Sequence, residues 1–367
     1  MDYYKKYGLK RVINSSGKMT ILGVSKYVDE AIEAQKFGGK NFFEMSELEE
    51  KIGQYIAQLV NVEDSQVVSS ASAGIALSIA GIIGQGSSYH LYHPYSEKIT
   101  KREIIIPKGH NVDYGAPVEV MIDVGGGKAV EAGYANMCTQ EHIEELITDN
   151  TAAILYIKSH HTVQKSMLTV EEAAQITHKH HLPLIVDAAA EQDVHKYIKA
   201  GADLVIYSGA KAFEGPSSGL VIGKAEFIRW VRLQSKGIGR PMKIGKENIL
   251  GLTAAIETYL KVGPESGDKM KERLEPLVNQ LNSLEGISSS IIQDSAGRDI
   301  YRAEVKVSDQ LGLSATEIVE KLKLGDPAIY TREYRMNNGI IEFDVRAVNE
   351  EEIQLIYERM KEIIDNK

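Results

Sequence analysis

Residues 204–211 read Leu-Val-Ile-Tyr-Ser-Gly-Ala-Lys, an apolar run that ends in a turn of small residues and a lysine. Residues 184–187 read Leu-Ile-Val-Asp, a second apolar run, which ends in a carboxylate. Short apolar runs bounded by turn residues are typical of buried strands in a parallel sheet. The carboxyl ends of such strands open into the ligand-binding crevice. We therefore expect Asp187 and Lys211 to lie at the same edge of a sheet, in a ligand site.

A carboxylate and a lysine in that position are the groups that pyridoxal 5'-phosphate (PLP) needs. The lysine forms a Schiff base, and the carboxylate keeps the pyridine nitrogen protonated so that the ring accepts electrons. Either residue alone is explained more simply, as a buried strand-end Asp or a surface Lys. Together with a phosphate-binding stretch, they predict PLP with Lys211 as the catalytic residue and Asp187 as the partner of the pyridine nitrogen.

That stretch is residues 69–74, Ser-Ser-Ala-Ser-Ala-Gly, between a short apolar run and an apolar helix. Small residues at the start of a helix let main-chain N–H groups approach an anion, which the helix dipole also favours. Tight packing of the helix on the strand explains the same composition. The stretch predicts that Ala71, Ser72 and Ala73 bind the cofactor phosphate. Ser208, three residues before Lys211, is predicted to add its hydroxyl to the same phosphate.

Two histidines follow predicted strands and are candidates for the same edge. His110 is expected either over the pyridine face or as an ordinary loop or core histidine. His160 is expected either to contact the substrate or cofactor, with a catalytic role, or to have no such role. No histidine or cysteine cluster predicts a metal site, since Cys138 is the only cysteine.

Four further basic residues are candidates for substrate binding. Arg240 and Lys243 lie with Lys246 in a basic cluster that suits a phosphate, although a solvated loop explains it equally well. Arg332 and Arg346 occur later in the chain, and a guanidinium group binds a carboxylate through two parallel hydrogen bonds. Surface salt bridges are the alternative explanation for both arginines.

The remaining pattern alternates strand-like runs with helical segments, which indicates a mostly parallel sheet covered by helices on both faces. The predicted strands of this part are 103–107, 118–122, 152–157, 184–186, 204–207 and 219–222. After the polar joint at 263–267 the pattern becomes α+β. We predict a large PLP-binding domain of residues 1–265, whose first 25 residues look irregular and are free to pack on the small domain, and a small α+β domain of residues 266–367.

Composition restricts the function classes. The chain has 367 residues and a net charge of −9, which argues against nucleic acid as its main partner. No stretch approaches the length of a membrane span, and the N-terminal residues lack the apolar core of a signal peptide. The chain is therefore expected to be cytoplasmic, without a membrane partner.

The sequence resembles the aspartate-aminotransferase-type superfamily of PLP enzymes, and within it the group around the selenium transferase that acts on seryl-tRNA. The matching segments are Arg-Val-Ile-Asn at 11–14, Tyr-Ser-Gly-Ala-Lys at 207–211, Gly-Pro-Ser-Ser-Gly at 215–219 and Phe-Asp-Val-Arg at 343–346. The resemblance implies a PLP-dependent transferase-like fold, with a large domain on a mostly parallel sheet of seven-stranded type. It also implies the roles given above for Lys211 and Asp187, and a homodimer or higher even homo-oligomer.

The stretches at 110–115 and 159–161 look closer to members of this group that act on phosphorylated amino sugar acids. The implied activity is an ammonia-lyase that converts 2-amino-2-deoxy-D-gluconate 6-phosphate to a 2-keto-3-deoxy acid by α,β-elimination. The general acid is left open among His160, Lys211 and bound water. Two alternatives also stay open: a PLP enzyme acting on a different amino acid, and a selenium-transferase-like enzyme acting on tRNA.

Overall fold

The chain forms two compact units in a computed structural model that describes residues 2–159, 161–294 and 298–366. One unit comprises residues 27–263, and the other combines residues 1–26 with residues 264–367. The N-terminal segment contributes α1 (Tyr3–Tyr7) and β1 (Val12–Ser15). The functional division at residue 265 that the sequence suggests stays a prediction.

The unit of residues 27–263 is built on a seven-stranded sheet covered by helices. Its elements, in chain order, are α2 (Asp29–Lys40), α3 (Met45–Leu59), β2 (Asp64–Val68), α4 (Ala71–Gly84), α5 (Ser88–Tyr92), β3 (Glu103–Pro107), α6 (Val118–Val124), β4 (Lys128–Ala132), α7 (Gln140–Glu144), β5 (Thr151–Ile157), α8 (Val170–Lys179), β6 (Leu184–Asp187), α9 (Lys196–Lys199), β7 (Leu204–Ser208), α10 (Gly209–Ala212), β8 (Gly219–Gly223), α11 (Ala225–Leu233) and α12 (Lys246–Val262).

The strand order is β2-β8-β7-β6-β5-β3-β4, and β8 alone runs antiparallel to its neighbours in this sheet. The carboxyl ends of the other six strands therefore share one edge, which we call the carboxyl edge. The central strands are buried along their whole length, as their apolar sequences predict. Helix α4 packs closely on β7 and β8, because Gly74 has no Cβ, which would lie 2.9 Å from Cγ2 of Ile206.

The strand predicted at 118–122 is wrong, since these residues belong to α6. Their alternating apolar pattern imitates a strand, but the buried side chains are Val118 and Ile122, one helical turn apart, whereas Val120 is exposed. Pro117 precedes the first turn, where a missing N–H costs nothing. The neighbouring strand is instead β4, which follows the three glycines at 125–127 and was not predicted.

The other unit contains a three-stranded antiparallel sheet and a two-stranded parallel one. Its remaining elements are α13 (Gly267–Leu281), β9 (Ile287–Gln293), β10 (Tyr301–Val307), α14 (Ala315–Leu324), β11 (Ala328–Thr331), β12 (Ile340–Phe343) and α15 (Glu350–Asp365). Strand β1 pairs in parallel with β11, so the N-terminal segment expected to be irregular carries a strand of this unit. Its core is formed by apolar faces of α13, α14 and α15 against the three-stranded sheet.

No helix among the described residues is both long enough and apolar enough to cross a membrane.

Candidate active site

The carboxyl edge brings together four segments that the sequence singled out. Helix α4 begins just after β2, Asp187 ends β6, Ser208 ends β7 and leads into α10, and the loop from residue 158 follows β5. The ladder between β6 and β7 continues past the strand ends, since the N–H of Ser208 donates to the carbonyl of Ala189 at 3.2 Å. Asp187 and the turn that carries Lys211 are therefore held side by side.

Asp187 is a buried carboxylate with few partners. The side chain is 8% exposed, and its Oδ1 accepts a hydrogen bond from the N–H of Ala189 at 3.0 Å. Burial raises the pKa of Asp187 to about 6, and the N–H of Ala189 and the charge of Lys211 offset this only in part. A cationic hydrogen-bond donor would stabilise the ionised form of a carboxylate that is buried in this way.

Lys211 lies on α10, a short helix of four residues that starts directly after β7. The side chain is half-buried, and its positive charge lowers the pKa of both Asp187 and His161. Gly209 allows this helix to start where it does, because a Cβ there would lie 2.7 Å from Cδ1 of Leu252. Lys211 and Asp187 thus lie at the same edge of the sheet, and the Schiff-base role of the lysine stays a prediction.

The start of α4 is a helix N-terminus suited to an anion. Ser70 precedes the helix and its Oγ accepts a hydrogen bond from the N–H of Ala73 at 3.0 Å. The N–H groups of Ala71 and Ser72 are then the first-turn donors without a partner inside the helix. Of the three residues predicted to bind phosphate, Ala73 therefore differs from the other two, because its N–H already serves the helix cap.

Gly219 brings β8 against this helix start. A Cβ on Gly219 would lie 2.6 Å from the carbonyl carbon and oxygen of Ser70 and 2.8 Å from the nitrogen of Ala71. Only a residue without a side chain permits this approach. Ser208, at the end of the adjacent β7, is half-buried and lies at the same edge.

Tyr114 is a residue that the sequence analysis did not single out. Its hydroxyl donates to Oγ of Ser72 at 3.2 Å, and its ring is half-buried. Burial raises the pKa of Tyr114, and the charge of Asp187 adds to this effect. Tyr114 is therefore near both the helix start and the buried carboxylate. Its position in the loop after β3 was the available signal, but a tyrosine in a loop is too common to be selected on that ground.

His110 is fully buried, and protein atoms engage both ring nitrogens. Nε2 lies 3.1 Å from the carbonyl of Val163, and Nδ1 lies 3.4 Å from the N–H of Ile157. The ring meets Tyr156 edge-on, with centroids 4.5 Å apart. Burial lowers the pKa of His110 to about 4, so the ring is neutral at pH 7. This geometry supports the core-histidine interpretation, and stacking on a pyridine ring stays a prediction.

His160 lies outside the described residues. Its neighbour His161 is exposed, and its main-chain N–H donates to Oγ of Ser159 at 3.2 Å. Burial and the charge of Lys211 lower the pKa of the His161 side chain. The second histidine of the pair is therefore also a candidate for the site, although the sequence analysis chose only the first.

The basic cluster has two kinds of member. Arg240 and Lys243 are exposed, whereas Lys246 donates from Nζ to the carbonyl of Gly38 at the end of α2. Lys246 thus has a structural partner, and Arg240 and Lys243 are the members left exposed. Their role in substrate binding stays a prediction.

Arg332 and Arg346 lie in the unit that contains the C-terminal residues. Arg346 donates from Nε and Nη2 to the two carboxylate oxygens of Asp344, at 2.9 and 2.7 Å. Asp344 is fully buried and also accepts from Arg302 at 3.0 Å. Arg332 is held more loosely, with Nε 3.3 Å from Glu342 and its guanidinium 5.0 Å from the centre of the Tyr334 ring. A carboxylate-binding role for either arginine stays a prediction.

Among the described residues, no group of three or more His, Cys, Asp or Glu side chains is arranged to hold a metal ion.

Comparison with known proteins decides the family. The family model of SelA, L-seryl-tRNA selenium transferase, matches residues 43–312. The chain belongs to this family. A D-glucosaminate-6-phosphate ammonia lyase from Salmonella typhimurium is 42% identical over 366 residues, which cover 100% of this chain and 98% of the relative. A second family member, a 5'-C-glycyluridine monooxygenase-decarboxylase from a Streptomyces species, is 33% identical and covers 98% and 92% of the two chains.

Solved structures confirm the fold class. A structure of D-glucosaminate-6-phosphate ammonia-lyase superposes with a TM-score of 0.94 at 42% identity, covering 100% of this chain and 99% of the other. Aspartate aminotransferase from Thermus thermophilus superposes with a TM-score of 0.52 at 14% identity, with 98% and 94% covered, and shows the shared fold alone. The predicted aspartate-aminotransferase-type fold is therefore correct, and both the family and the fold are those of PLP-dependent enzymes.

Proposed function

We propose that this family member is a PLP-dependent ammonia-lyase that converts 2-amino-2-deoxy-D-gluconate 6-phosphate to 2-keto-3-deoxy-6-phosphogluconate and ammonia by α,β-elimination. The observation that carries the proposal is the 42% identity, over the full chain, with a D-glucosaminate-6-phosphate ammonia lyase. The solved structure of an enzyme with that name, at a TM-score of 0.94, supports it. The resemblance noted in the histidine-containing stretches pointed to the same branch.

The residues of the carboxyl edge fit PLP. Asp187 has a pKa raised to about 6 because burial outweighs its partners, so a protonated pyridine nitrogen would provide the cation that this carboxylate lacks. The first-turn N–H groups of Ala71 and Ser72 and the hydroxyl of Ser208 would bind the phosphate. Lys211, whose charge acts on Asp187, provides the amine that forms the bond to the cofactor.

The bound cofactor supplies a sink for the electrons left at the substrate Cα when its proton is removed. The chain supplies the proton transfers. Lys211, which is half-buried, is the candidate base for the Cα proton, because a lysine displaced from the cofactor by the substrate amine would be free beside the substrate Cα. Asp187 would hold the protonated pyridine nitrogen of the cofactor through a charge-assisted hydrogen bond. The acid that protonates the departing 3-hydroxyl is His160, Lys211 or water. His161 is a further candidate, because the charge of Lys211 acts on its side chain.

The two ends of the substrate need separate binding groups. Arg240 and Lys243, as exposed cations, are proposed for the distal phosphate. A phosphate far from the reacting carbons contributes binding energy that orients the substrate. One of the two arginines, Arg346 or Arg332, is proposed for the carboxylate, since a guanidinium matches its geometry.

A second candidate is a PLP-dependent reaction on another amino acid. The 33% identical relative carries a name that specifies 5'-C-glycyluridine and a monooxygenase-decarboxylase reaction, so family membership alone does not fix the reaction. Selenium transferases that act on seryl-tRNA are also relatives, with 25% identity to the protein from Alkaliphilus metalliredigens. The net charge of −9 favours a small-molecule substrate over tRNA.

The assembly state is what the family resemblance implies, whereas the location is what the pattern of apolar residues in the sequence predicts. We propose a cytoplasmic homodimer or a higher even homo-oligomer that acts without a nucleic-acid or membrane partner. Sedimentation of the purified protein measures the number of subunits, and a monomer at working concentration would contradict this part of the proposal.

The test is an ammonia assay with glucosaminate 6-phosphate on the wild type and on Lys211→Ala. The wild type is expected to release ammonia and to show the visible absorbance of lysine-bound PLP, and the variant is expected to lose both. Lys199→Ala removes an exposed lysine of α9 and is the matched control, expected to behave as the wild type. A wild type that binds PLP but ignores this substrate supports the second candidate, which uridine-linked and other amino acids then test. Full activity in Lys211→Ala would contradict the assignment of the lysine.

A further inference from the structure

Tyr114 contacts the phosphate-binding end of α4 from outside the helix. The hydroxyl donates to Oγ of Ser72 at 3.2 Å. The loop that carries Tyr114 is held in a tight turn, because Asp113 pairs with Pro117 and Oδ1 of Asp113 accepts from the N–H of Gly115 at 2.7 Å. The turn holds the main chain at Tyr114, and the ring packs against an apolar cluster that includes residues of α4 and of the sheet.

Ser72 occupies the second position of α4, so its N–H is one of the first-turn donors, and side chains on a helix lean towards its N-terminus. A serine hydroxyl has one proton and two lone pairs. When a phenol O–H donates into one lone pair, the serine must direct its own proton elsewhere. An anion at the start of the helix is an acceptor for that proton, and it also receives the first-turn N–H groups.

The protonation state of Tyr114 agrees with a donor role. Burial raises the pKa of its hydroxyl, the hydrogen bond with Ser72 lowers it in part and the negative charge of Asp187 raises it again, so the net shift is upward. The phenol therefore keeps its proton throughout the neutral range. A phenolate at this position would instead accept the hydrogen bond from the Ser72 hydroxyl, and its negative charge would repel the phosphate.

We propose that Tyr114 is a positioning residue of the phosphate site, which orients the Ser72 hydroxyl so that its proton is donated to the phosphate of PLP. This inference rests on the proposed function, since it requires that the cofactor bind at the start of α4. Tyr114 does not touch the phosphate in this scheme, because it acts through Ser72. Its effect is therefore specific to the phosphate and independent of the pyridine ring.

The test compares PLP with pyridoxal, which lacks the phosphate, by equilibrium dialysis of cofactor-free protein. Tyr114→Phe is expected to weaken PLP binding about 3- to 10-fold and to leave pyridoxal binding unchanged, because one oriented hydrogen bond is lost. Ser72→Ala is expected to weaken PLP binding about 10- to 100-fold, because a hydrogen bond to a charged group is lost. The double variant is expected to bind PLP as Ser72→Ala does, since Tyr114 has no role without the serine hydroxyl.

The chain offers a matched control. Tyr89 and Ser96 form another Tyr–Ser hydroxyl pair, at 2.9 Å, near the opposite end of α4 in sequence. Tyr89→Phe removes the same kind of hydrogen bond and is expected to leave the binding of PLP and pyridoxal unchanged. Thermal unfolding of the three single variants checks that each is folded.

Failures of the two proposals are distinguishable. A wild type that binds neither PLP nor pyridoxal would contradict the proposed function itself. A wild type that binds PLP while Tyr114→Phe binds it equally well would overturn only the inference about Tyr114. Equal loss of PLP and pyridoxal in Tyr114→Phe would also overturn it, because a purely structural role of the phenol does not depend on the phosphate.

Discussion

Asp187 and His110 are both buried in the same unit, and burial moves their pKa values in opposite directions, past each other. The pKa of Asp187 rises to about 6, whereas that of His110 falls to about 4. Both shifts have the same cause, since a desolvated site disfavours the charged form of either group. Their effects on stability have opposite signs, however, and this leads to two related predictions.

Asp187→Asn is expected to stabilise the cofactor-free protein at pH 7. Between about pH 4 and 6, unfolding releases a proton from Asp187, so its burial costs stability as the pH rises, up to about 3 kcal/mol above pH 6. Asn keeps an oxygen for the N–H of Ala189 but carries no charge. Urea unfolding of cofactor-free protein measures the gain. The same variant is expected to lose about 10- to 100-fold in activity, because the charged hydrogen bond to PLP is lost. A variant that is no more stable than the wild type at pH 7 would contradict the burial cost.

In His110→Gln, the free energy of unfolding is expected to show the pH dependence that the burial of Asp187 causes. The depressed pKa of His110 makes the wild type lose stability as the pH falls from about 6.5 to 4, because the unfolded chain then binds the proton that the folded one does not. This loss opposes the gain from Asp187 over the same range. Removing the histidine should leave stability that falls as the pH rises from 4 to 6, whereas Asp187→Asn should leave the reverse slope.

The double variant Asp187→Asn, His110→Gln is the control for this pair. It is expected to lose the contributions of both groups, so that the slope which remains belongs to other groups, such as the buried His90, whose pKa burial also lowers. Urea midpoints measured at half-unit steps from pH 4.5 to 7 compare the four proteins. If the two single variants had slopes of the same sign, the opposite effects of burial assigned to these residues would be wrong.

Gly219→Ala is expected to damage the phosphate site through the main chain. The new Cβ would lie 2.6 Å from main-chain atoms of Ser70, so β8 or the start of α4 has to shift. Overpacking of this kind costs about 1–3 kcal/mol of stability, and the displaced first turn should also weaken PLP binding more than pyridoxal binding.

Gly39→Ala is the matched control, since a Cβ there meets nothing within 4 Å inside α2. It is expected to add about 0.5–1 kcal/mol of stability. Unchanged PLP binding in Gly219→Ala would contradict the need for this close approach.

The sequence predicted the parts of the site that depend on local pattern. Asp187 and Lys211 each end an apolar run, and parallel strands with such ends must present them at one edge. The strand predicted at 118–122 was wrong because Val118 and Ile122 fit two patterns. Residues four apart lie on the same face of a strand, and they also lie on the same face of a helix. Tyr114 could not be found, because its contact with Ser72 joins residues far apart in the chain. The buried state of His110 depends in the same way on Val163 and Tyr156.

Arg346 and Arg332 lead to the last prediction, on the substrate carboxylate. Asp344 is fully buried. Burial raises its pKa, but the charges of Arg346 and Arg302 lower the pKa to about 2. Asp344 is therefore an ionised carboxylate at neutral pH and binds Arg346 in that form. A guanidinium fixed through two of its nitrogens has lost its rotamer freedom before a ligand arrives. Arg332 has one longer contact, 3.3 Å to Glu342. We therefore expect Arg346, rather than Arg332, to bind the carboxylate.

Arg346→Lys keeps the charge but loses the flat fork, so KM for glucosaminate 6-phosphate is expected to rise about 10-fold. Arg332→Lys is the matched control and should leave KM close to the wild-type value. Steady-state ammonia release gives KM and kcat for both variants. The reverse result would assign the carboxylate to Arg332, and no change in either variant would remove both arginines from substrate binding. A fall in kcat without a rise in KM would also contradict the prediction, because a group that binds the carboxylate equally in substrate and transition state changes KM alone.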